Sequence, residues 1–282
     1  MADYTDSKPV VGDVFPIGGG ESPWLRTEPL ITPIQLKRQH LFGIPLVSGM
    51  KDPITGRNDR LTDDDLKEYI DTAVGLAELE TGLTIFPTKF SEKKPWDRQE
   101  YDSFGYCILQ KRPIASIERM TVNLSNNDTI YEVPNDWIET GNLQWGQLNI
   151  IPLTIALTSG NVTAIPTTAG GALLLSIFQG KSQWVASFWR ADYTAGFPDG
   201  QIPKVVNDLI GCIAAMEVLS QLASTYGRSN GSSLGIDGMS QSVSTPGPEI
   251  FTPRLKDLAA KRATLIGKLK NLYHLKFFSN NV

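Results

Sequence analysis

A chain of 282 residues with 41% hydrophobic and 20% charged side chains is a globular protein long enough to bury its own core, which excludes a stapled miniprotein, a disordered tail and a fibre. Its 26 basic and 30 acidic residues leave a net charge of -4, so no overall field draws it to nucleic acid or to an anionic membrane. Two cysteines, Cys107 and Cys212, lie among apolar neighbours and read as small buried hydrophobes in a reducing compartment, not as a disulfide framework.

The start Met1-Ala2-Asp3-Tyr4 lacks the basic and apolar regions of a signal peptide, and no uninterrupted apolar run is long enough for a membrane helix, so a soluble product made in the cytosol is expected. Residues 1–60 are punctuated by Pro9, Gly18-Gly19-Gly20, Pro23, Pro29, Pro33, Pro45, Pro53 and Gly56, and read as an extended N-terminal arm. Its apolar islands, Trp24-Leu25, Leu30-Ile31 and Leu41-Phe42, suit a segment lying along a surface, either a neighbour's or its own domain's. From Leu61 the character changes. Thr62-Asp63-Asp64-Asp65 forms a capping box, and Leu66, Ile70, Ala73, Val74 and Ala77 then recur at helical spacing until Gly82. Ile114 to Val122 mixes β-branched and polar positions as strands do, closing a first core segment over 61–122.

Residues 123–188 alternate strand material with turn signals at Asn126-Asn127-Asp128, Pro134-Asn135-Asp136, Gly141-Asn142, Ser159-Gly160-Asn161 and Gly170-Gly171, which predicts an inserted antiparallel β-rich domain with no helix. A second core segment, 189–275, opens on a strand. After Ile202-Pro203 a helix is predicted with Val205, Leu209, Cys212, Met216 and Leu219 on one stripe, widened by Val206, Ile210 and Ile213. A helix apolar on more than one side belongs at the centre of a bundle or between subunits, and the three widening residues are expected at an intersubunit interface. Residues 226–249 read as a flexible Ser- and Gly-rich loop, and the last helix, from near Pro253, carries Leu255, Leu258, Leu265, Leu269 and Leu272 with Arg262 in a leucine slot. Its other faces are basic, through Arg254, Lys256, Lys261, Lys268 and Lys270, and the tail 276–282 opens on Lys276-Phe277-Phe278. The fold class is therefore α+β: a helical bundle core, an inserted antiparallel β-rich domain and an extended N-terminal arm.

Catalytic patterns fail one after another. Two histidines, His40 and His274, and two cysteines cannot supply a repeated zinc-ligand pattern. Gly180-Lys181-Ser182 lacks the preceding glycine of a phosphate-binding loop, and Gly238-Met239-Ser240-Gln241-Ser242 falls one residue short of Gly-x-Ser-x-Gly. Asp63-Asp64-Asp65 stands where carboxylates favour a helix start. No catalytic residue, metal ligand or cofactor is expected.

Several stretches, in order, resemble the head-to-tail adaptor (connector) proteins of long-tailed bacteriophages. They are Leu61-Thr62-Asp63-Asp64-Asp65-Leu66, Glu78-Leu79-Glu80-Thr81-Gly82, Lys111-Arg112-Pro113-Ile114-Ala115-Ser116-Ile117 and Tyr193-Thr194-Ala195-Gly196-Phe197, the last followed by Ile202-Pro203 and the apolar helix. Ile236-Asp237-Gly238-Met239-Ser240-Gln241-Ser242 also looks like a loop of larger neck proteins. The resemblance implies a structural virion protein, not an enzyme, in the virion neck and assembled in the host cytoplasm. Its partners would be the portal, the tail or a tail terminator, and its own copies in a closed ring of about twelve. DNA would pass through without sequence readout, and no membrane is involved. Usual members are shorter and lack both this arm and this β-rich insertion.

On that basis the portal-docking set is Arg254, Lys256, Lys261, Arg262, Leu265, Leu269, Leu272, Phe277 and Phe278, against two competing readings of the same helix, contact with DNA phosphates in the channel and packing on its own bundle with a solvated basic face; Asp237, Gly238 and Ser240 mark a loop ordered on assembly. Two other functions compete. A carbohydrate- or host-surface-binding module would use Trp137, Trp145, Trp184 and Trp189, which otherwise form a core set, and a hydrolase would use carboxylates such as Asp136 and Glu139.

Overall fold

The computed structural model describes residues 10–11, 27–51, 58–97, 106–123, 129–150, 184–198, 200–226, 231–236, 239–244 and 247–273. In chain order the strands are β1 (Val10–Val11), β2 (Thr27–Glu28), β3 (Val47–Lys51), β4 (Asn58–Arg60), β5 (Thr88–Asp97), β6 (Tyr106–Ile108), β7 (Ile114–Asn123), β8 (Thr129–Glu132), β9 (Ile138–Glu139), β10 (Gln147–Ile150), β11 (Trp184–Ala195), β12 (Ile202–Pro203), β13 (Gly231–Ile236) and β14 (Met239–Ser244). The α-helices are α1 (Pro33–Gln39), α2 (Asp63–Thr81), α3 (Lys204–Thr225) and α4 (Thr252–Tyr273). The fold is α+β, with antiparallel sheets throughout the described residues.

Two compact units divide the chain: one holds residues 23–81 and 202–272, the other 1–22, 82–201 and 273–282. The units meet at 22/23, 81/82, 201/202 and 272/273, where composition divides the chain at 60/61, 122/123, 188/189 and 275/276. The reason is a shared core. Strands expected to be an insertion pair with, and bury their side chains among, strands expected to belong to the helical core.

In the helical unit, α2 starts as its sequence dictates. The Asp65 backbone N–H donates to Thr62 Oγ1 at 3.2 Å while the Thr62 N–H donates to Asp65 Oδ2 at 2.7 Å, so two otherwise orphaned donors are satisfied. Gly82, at φ +68, ends the helix in the left-handed region. Leu66, Ile70, Ala73, Val74 and Ala77 are buried, and α2 packs against α3. In α3 both stripes are covered within the single chain. Val206, Ile210 and Ile213 are 2%, 0% and 2% exposed, so the intersubunit role expected of them has no open surface to act through. α3 is long and apolar enough to cross a membrane, yet 72% of its most apolar stretch is buried inside the protein, as in a core helix.

The second half of the arm is built into this unit. Asn207, buried on α3, accepts from the Ile31 N–H at 3.3 Å and donates to Pro29 O at 2.8 Å and Glu28 Oε1 at 3.3 Å, while β2 pairs with β12. Ile31, Leu36 and Leu41 are then buried. A further difference lies in residues 226–249. β13 and β14 form an antiparallel hairpin from Gly231↔Ser244 to Ile236↔Met239, where a loop was expected. Ser240 pairs with Gly235, and Asp237 and Gly238 lie outside the described residues.

The other unit is built on a five-stranded sheet ordered β1-β7-β11-β5, with β8 sharing the β7 edge with β1. Around the register shift between Val185 and Trp189, Ser187 takes φ +50, and Phe188 and Trp189 are consecutively buried. The β6-β10-β9 sheet contributes Leu148, Ile150 and Ile138 to the same core as Ile117, Met120, Phe188 and Tyr193. Within 123–188, short 3-10 turns at Asn135–Trp137 and Leu143–Trp145 replace the purely β expectation; residues 151–183 are outside the described set.

β11 ends at a crossing of three backbones. Gly196 N–H donates to Pro113 O at 2.8 Å, Phe197 N–H to Ile85 O at 2.9 Å, and Thr84 N–H to Arg112 O at 2.8 Å. Gly196 holds φ +122, and a Cβ there would stand 2.3 Å from Phe86 O. Gly196→Ala is predicted to destabilise the protein by about 3 kcal/mol in urea unfolding, because strain and a backbone clash coincide. Gly200→Ala, at φ +73 with open space, should cost only about 1 kcal/mol.

Candidate functional site

Among the described residues no group of three or more His, Cys, Asp or Glu side chains is placed to hold a metal ion. Among the described residues, one histidine–cysteine pair lies inside the helical unit, where His40 Nδ1 is 3.9 Å from Cys212 Sγ. Burial lowers the His40 pKa to about 4 and raises the Cys212 thiol to about 11, so near neutrality the pair is an uncharged imidazole and an uncharged thiol. A thiolate nucleophile does not form there. The pair is a packing device: a Cβ at Gly211 would stand 2.5 Å from His40 Nε2, so the glycine makes room for the ring, and Arg254 donates to His40 O at 2.9 Å.

A second polar cluster sits on the sheet. Tyr193 donates its hydroxyl proton to Glu92 Oε2 at 2.8 Å and accepts from Lys111 N–H at 3.3 Å, Glu92 accepts from Gln110 N–H at 3.0 Å, and Lys94 pairs with Glu92 at 3.0 Å. Burial, then the Glu92 carboxylate, push the Tyr193 pKa well up, so the phenol stays a donor. The cluster ties residues 110–111 to β5 and β11. Glu139 accepts from Asn149 Nδ2 at 2.6 Å, whereas Asp136 is exposed. Of the four tryptophans considered for stacking on a sugar, Trp189 is 4% exposed, Trp137 and Trp145 are half-buried and Trp184 is 59% exposed, so one open ring remains. Near α1, Lys37, Arg38, Leu41, Phe42 and Arg60 line a cavity of about 380 Å³, with Lys37 paired to Asp63.

The proposed docking residues of α4 divide sharply. Leu265 and Leu269 are 2% and 1% exposed and belong to the chain's own core, which removes them from any docking face. Arg262 is engaged with Glu80, its Nε 3.1 Å from Oε2, and Arg254 holds His40 O. Leu272 is half-open, Lys256 and Lys261 are exposed, and Phe277 and Phe278 lie outside the described residues.

The helical unit carries two exposed helix faces of opposite sign. On α2, Asp64, Glu68, Asp71, Gly75 and Leu79 are all exposed and recur at four- and three-residue steps, Leu79 at 83% exposure, with Lys67 at one edge. On α4, Lys256, Ala260, Ala263, Gly267 and Lys270 do the same, with Asp257 and Lys261 beside them. A Cβ at Gly75 or Gly267 would meet nothing within 4 Å. Each glycine therefore costs about 1 kcal/mol against alanine in a helix interior, with no packing reason inside the chain. The capping role of Asp63, Asp64 and Asp65 masks the acidic face in the sequence; the continued spacing through Glu68, Asp71 and Gly75 is the signal that reveals it. No protein-family model matches the chain, and comparison with curated proteins finds no match.

The buried imidazole gives a pH signature. Its folded pKa, about 4, lies below the unfolded value of 6.5, chiefly through burial, with Lys261, Arg254 and Lys204 also lowering it and Asp208 raising it. The associated stability is complete above pH 6.5 and is lost as pH falls toward 4, amounting to about 3 kcal/mol. Urea midpoints measured from pH 7 to pH 4 should fall accordingly, with one proton taken up on unfolding near pH 5; a flat response from His40 would contradict the burial argument.

Proposed function

We propose that this protein is a structural, ring-forming head-to-tail adaptor of a bacteriophage neck, docking on the portal, connecting capsid to tail and leaving a channel for DNA. On this reading the adaptor core takes α2, α3 and α4 together with β7 and β11, which carry the resembling stretches, the β-rich residues between β7 and β11 are an elaboration, and the N-terminal segment is an arm anchored on the helical unit. The observation that carries the reading is structural agreement between the stretches behind the resemblance. Residues 111–117 and 193–197, far apart in sequence, are paired: Thr194 lies opposite Ser116, Ala195 opposite Ile114, Gly196 donates to Pro113 O, and Lys111 donates to Tyr193. They form one corner whose conformation requires the glycine of the second stretch.

With Leu265 and Leu269 committed to the core, portal docking falls to the tail. Lys276, Phe277 and Phe278 offer an aromatic anchor with a local charge, and basic side chains such as Lys261 steer the approach. Tail protein or tail terminator would bind the opposite side of the ring. Native mass spectrometry and negative-stain imaging of the purified chain, alone and with DNA-free portal, test this directly. A ring, and a complex with portal, are expected; a monomer at every concentration that ignores portal would overturn the reading. Truncation after Tyr273, the last residue of α4, should leave the melting temperature within a few degrees and remove portal binding. Undiminished binding by the truncated chain would refute the tail anchor.

A further inference from the structure

We infer that the two exposed helix faces are the two halves of one contact, the acidic face of α2 on one copy seating on the basic face of α4 of the next. This inference rests on the ring-forming reading and specifies the surface through which the ring is built. Three observations lead to it. The faces share a four-three-four step pattern over their first four members, Asp64, Glu68, Asp71 and Gly75 on one helix and Lys256, Ala260, Ala263 and Gly267 on the other, continued by Leu79 and by Lys270. Steps of four and three residues are those of a helix–helix seam, yet among the described residues no element of the chain covers either row. Their charges are opposite, so like faces repel and only the unlike pairing is attractive.

Relief is the third match. On α4 the middle of the row is Ala260, Ala263 and Gly267, a shallow strip between lysines at either end, and on α2 Leu79 projects at 83% exposure. Open space at Gly75 and Gly267 is surplus to the isolated chain and is used when a neighbouring helix comes close. Because both halves are carried by every copy on different surfaces, the contact is heterologous, and repetition closes into a ring when the rotation per copy divides a full turn.

A charge swap tests the pairing. Glu68→Lys with Asp71→Lys makes both faces basic; Lys256→Glu with Lys270→Glu makes both acidic. All four positions are exposed, so each variant should keep its circular dichroism and melt cooperatively. Each alone should show monomer mass by native mass spectrometry at concentrations where the unaltered chain assembles, with at least a tenfold weaker association. An equimolar mixture of the two, and the chain carrying all four changes, should assemble again. Gly267→Leu should melt no lower than the unaltered chain and fail to assemble. Raising salt from 0.1 to about 1 M should weaken assembly of the unaltered chain, since exposed charges are then screened within about 3 Å.

Assembly of each reversed variant on its own as readily as the unaltered chain, or folded reversed variants that do not assemble when mixed, would overturn the inference while leaving the ring-forming reading standing. A basic-face reversal that assembles normally but loses retention on DNA would reassign that face to nucleic acid and also overturn it. An unaltered chain that stays monomeric at every concentration, with and without portal, would remove the ring-forming reading itself.

Discussion

The backbone crossing at Gly196 sets the geometry of the β unit. Three segments, around Thr84–Phe86, Arg112–Ile114 and Ala195–Phe197, are tied there by main-chain hydrogen bonds, which hold whatever side chains the neighbours carry. One position is exempt from that tolerance, because any Cβ at Gly196 would enter the Phe86 carbonyl. Upstream of the crossing, β11 runs as a sheet interior strand between β5 and β7, and its Tyr193 hydroxyl reaches Glu92 and the Lys111 backbone. A strand fixed at one end by backbone and braced in its last turns by a buried hydroxyl has a defined register, and that register places Phe188, Trp189, Ala191 and Tyr193 in the core.

The helical unit uses the complementary device, one polar side chain and one glycine on its most buried helix. Asn207 satisfies both ends of its amide with the chain at Glu28, Pro29 and Ile31, so an otherwise costly buried amide becomes the anchor of an extended segment. One turn on, Gly211 gives up helix propensity so that His40 can lie against α3. Apolar burial of Ile31, Leu36 and Leu41 supplies the bulk of the favourable energy, while Asn207 and Gly211 decide where that burial occurs.

These two devices mark the limit of what the sequence makes legible. Helices α2, α3 and α4 follow from apolar spacing and from the Thr62-to-Asp65 capping box, because those signals are local. Incorporation of the arm depends on single residues more than 170 positions away, such as the Ile31 bond to Asn207, and proline punctuation cannot report them. The hairpin of β13 and β14 was hidden by serine and glycine content, although the Asp237-Gly238 step is itself a strong hairpin signal. The leucine row of α4 was readable as an apolar face, but periodicity does not say which surface covers it, and the chain's own core does. The unit boundaries were misplaced for a related reason: composition separates strand-rich from helix-rich stretches, whereas a core is defined by which strands pair.

Charge makes the same point at the surface. A net charge of -4 suggests a bland exterior, yet the helical unit concentrates Asp64, Glu68 and Asp71 on one helix and Lys256, Lys261 and Lys270 on another. Isolated surface ion pairs contribute little to folding, so such segregation adds almost nothing to the stability of one chain and brings like charges together on each helix. Gly75 and Gly267 likewise lower the stability of the lone chain. Features that cost a monomer something and give it nothing gain a physical rationale when a second surface of opposite sign and matching step is brought against them. The molecule that presents both surfaces at once, in equal number, is another copy of itself.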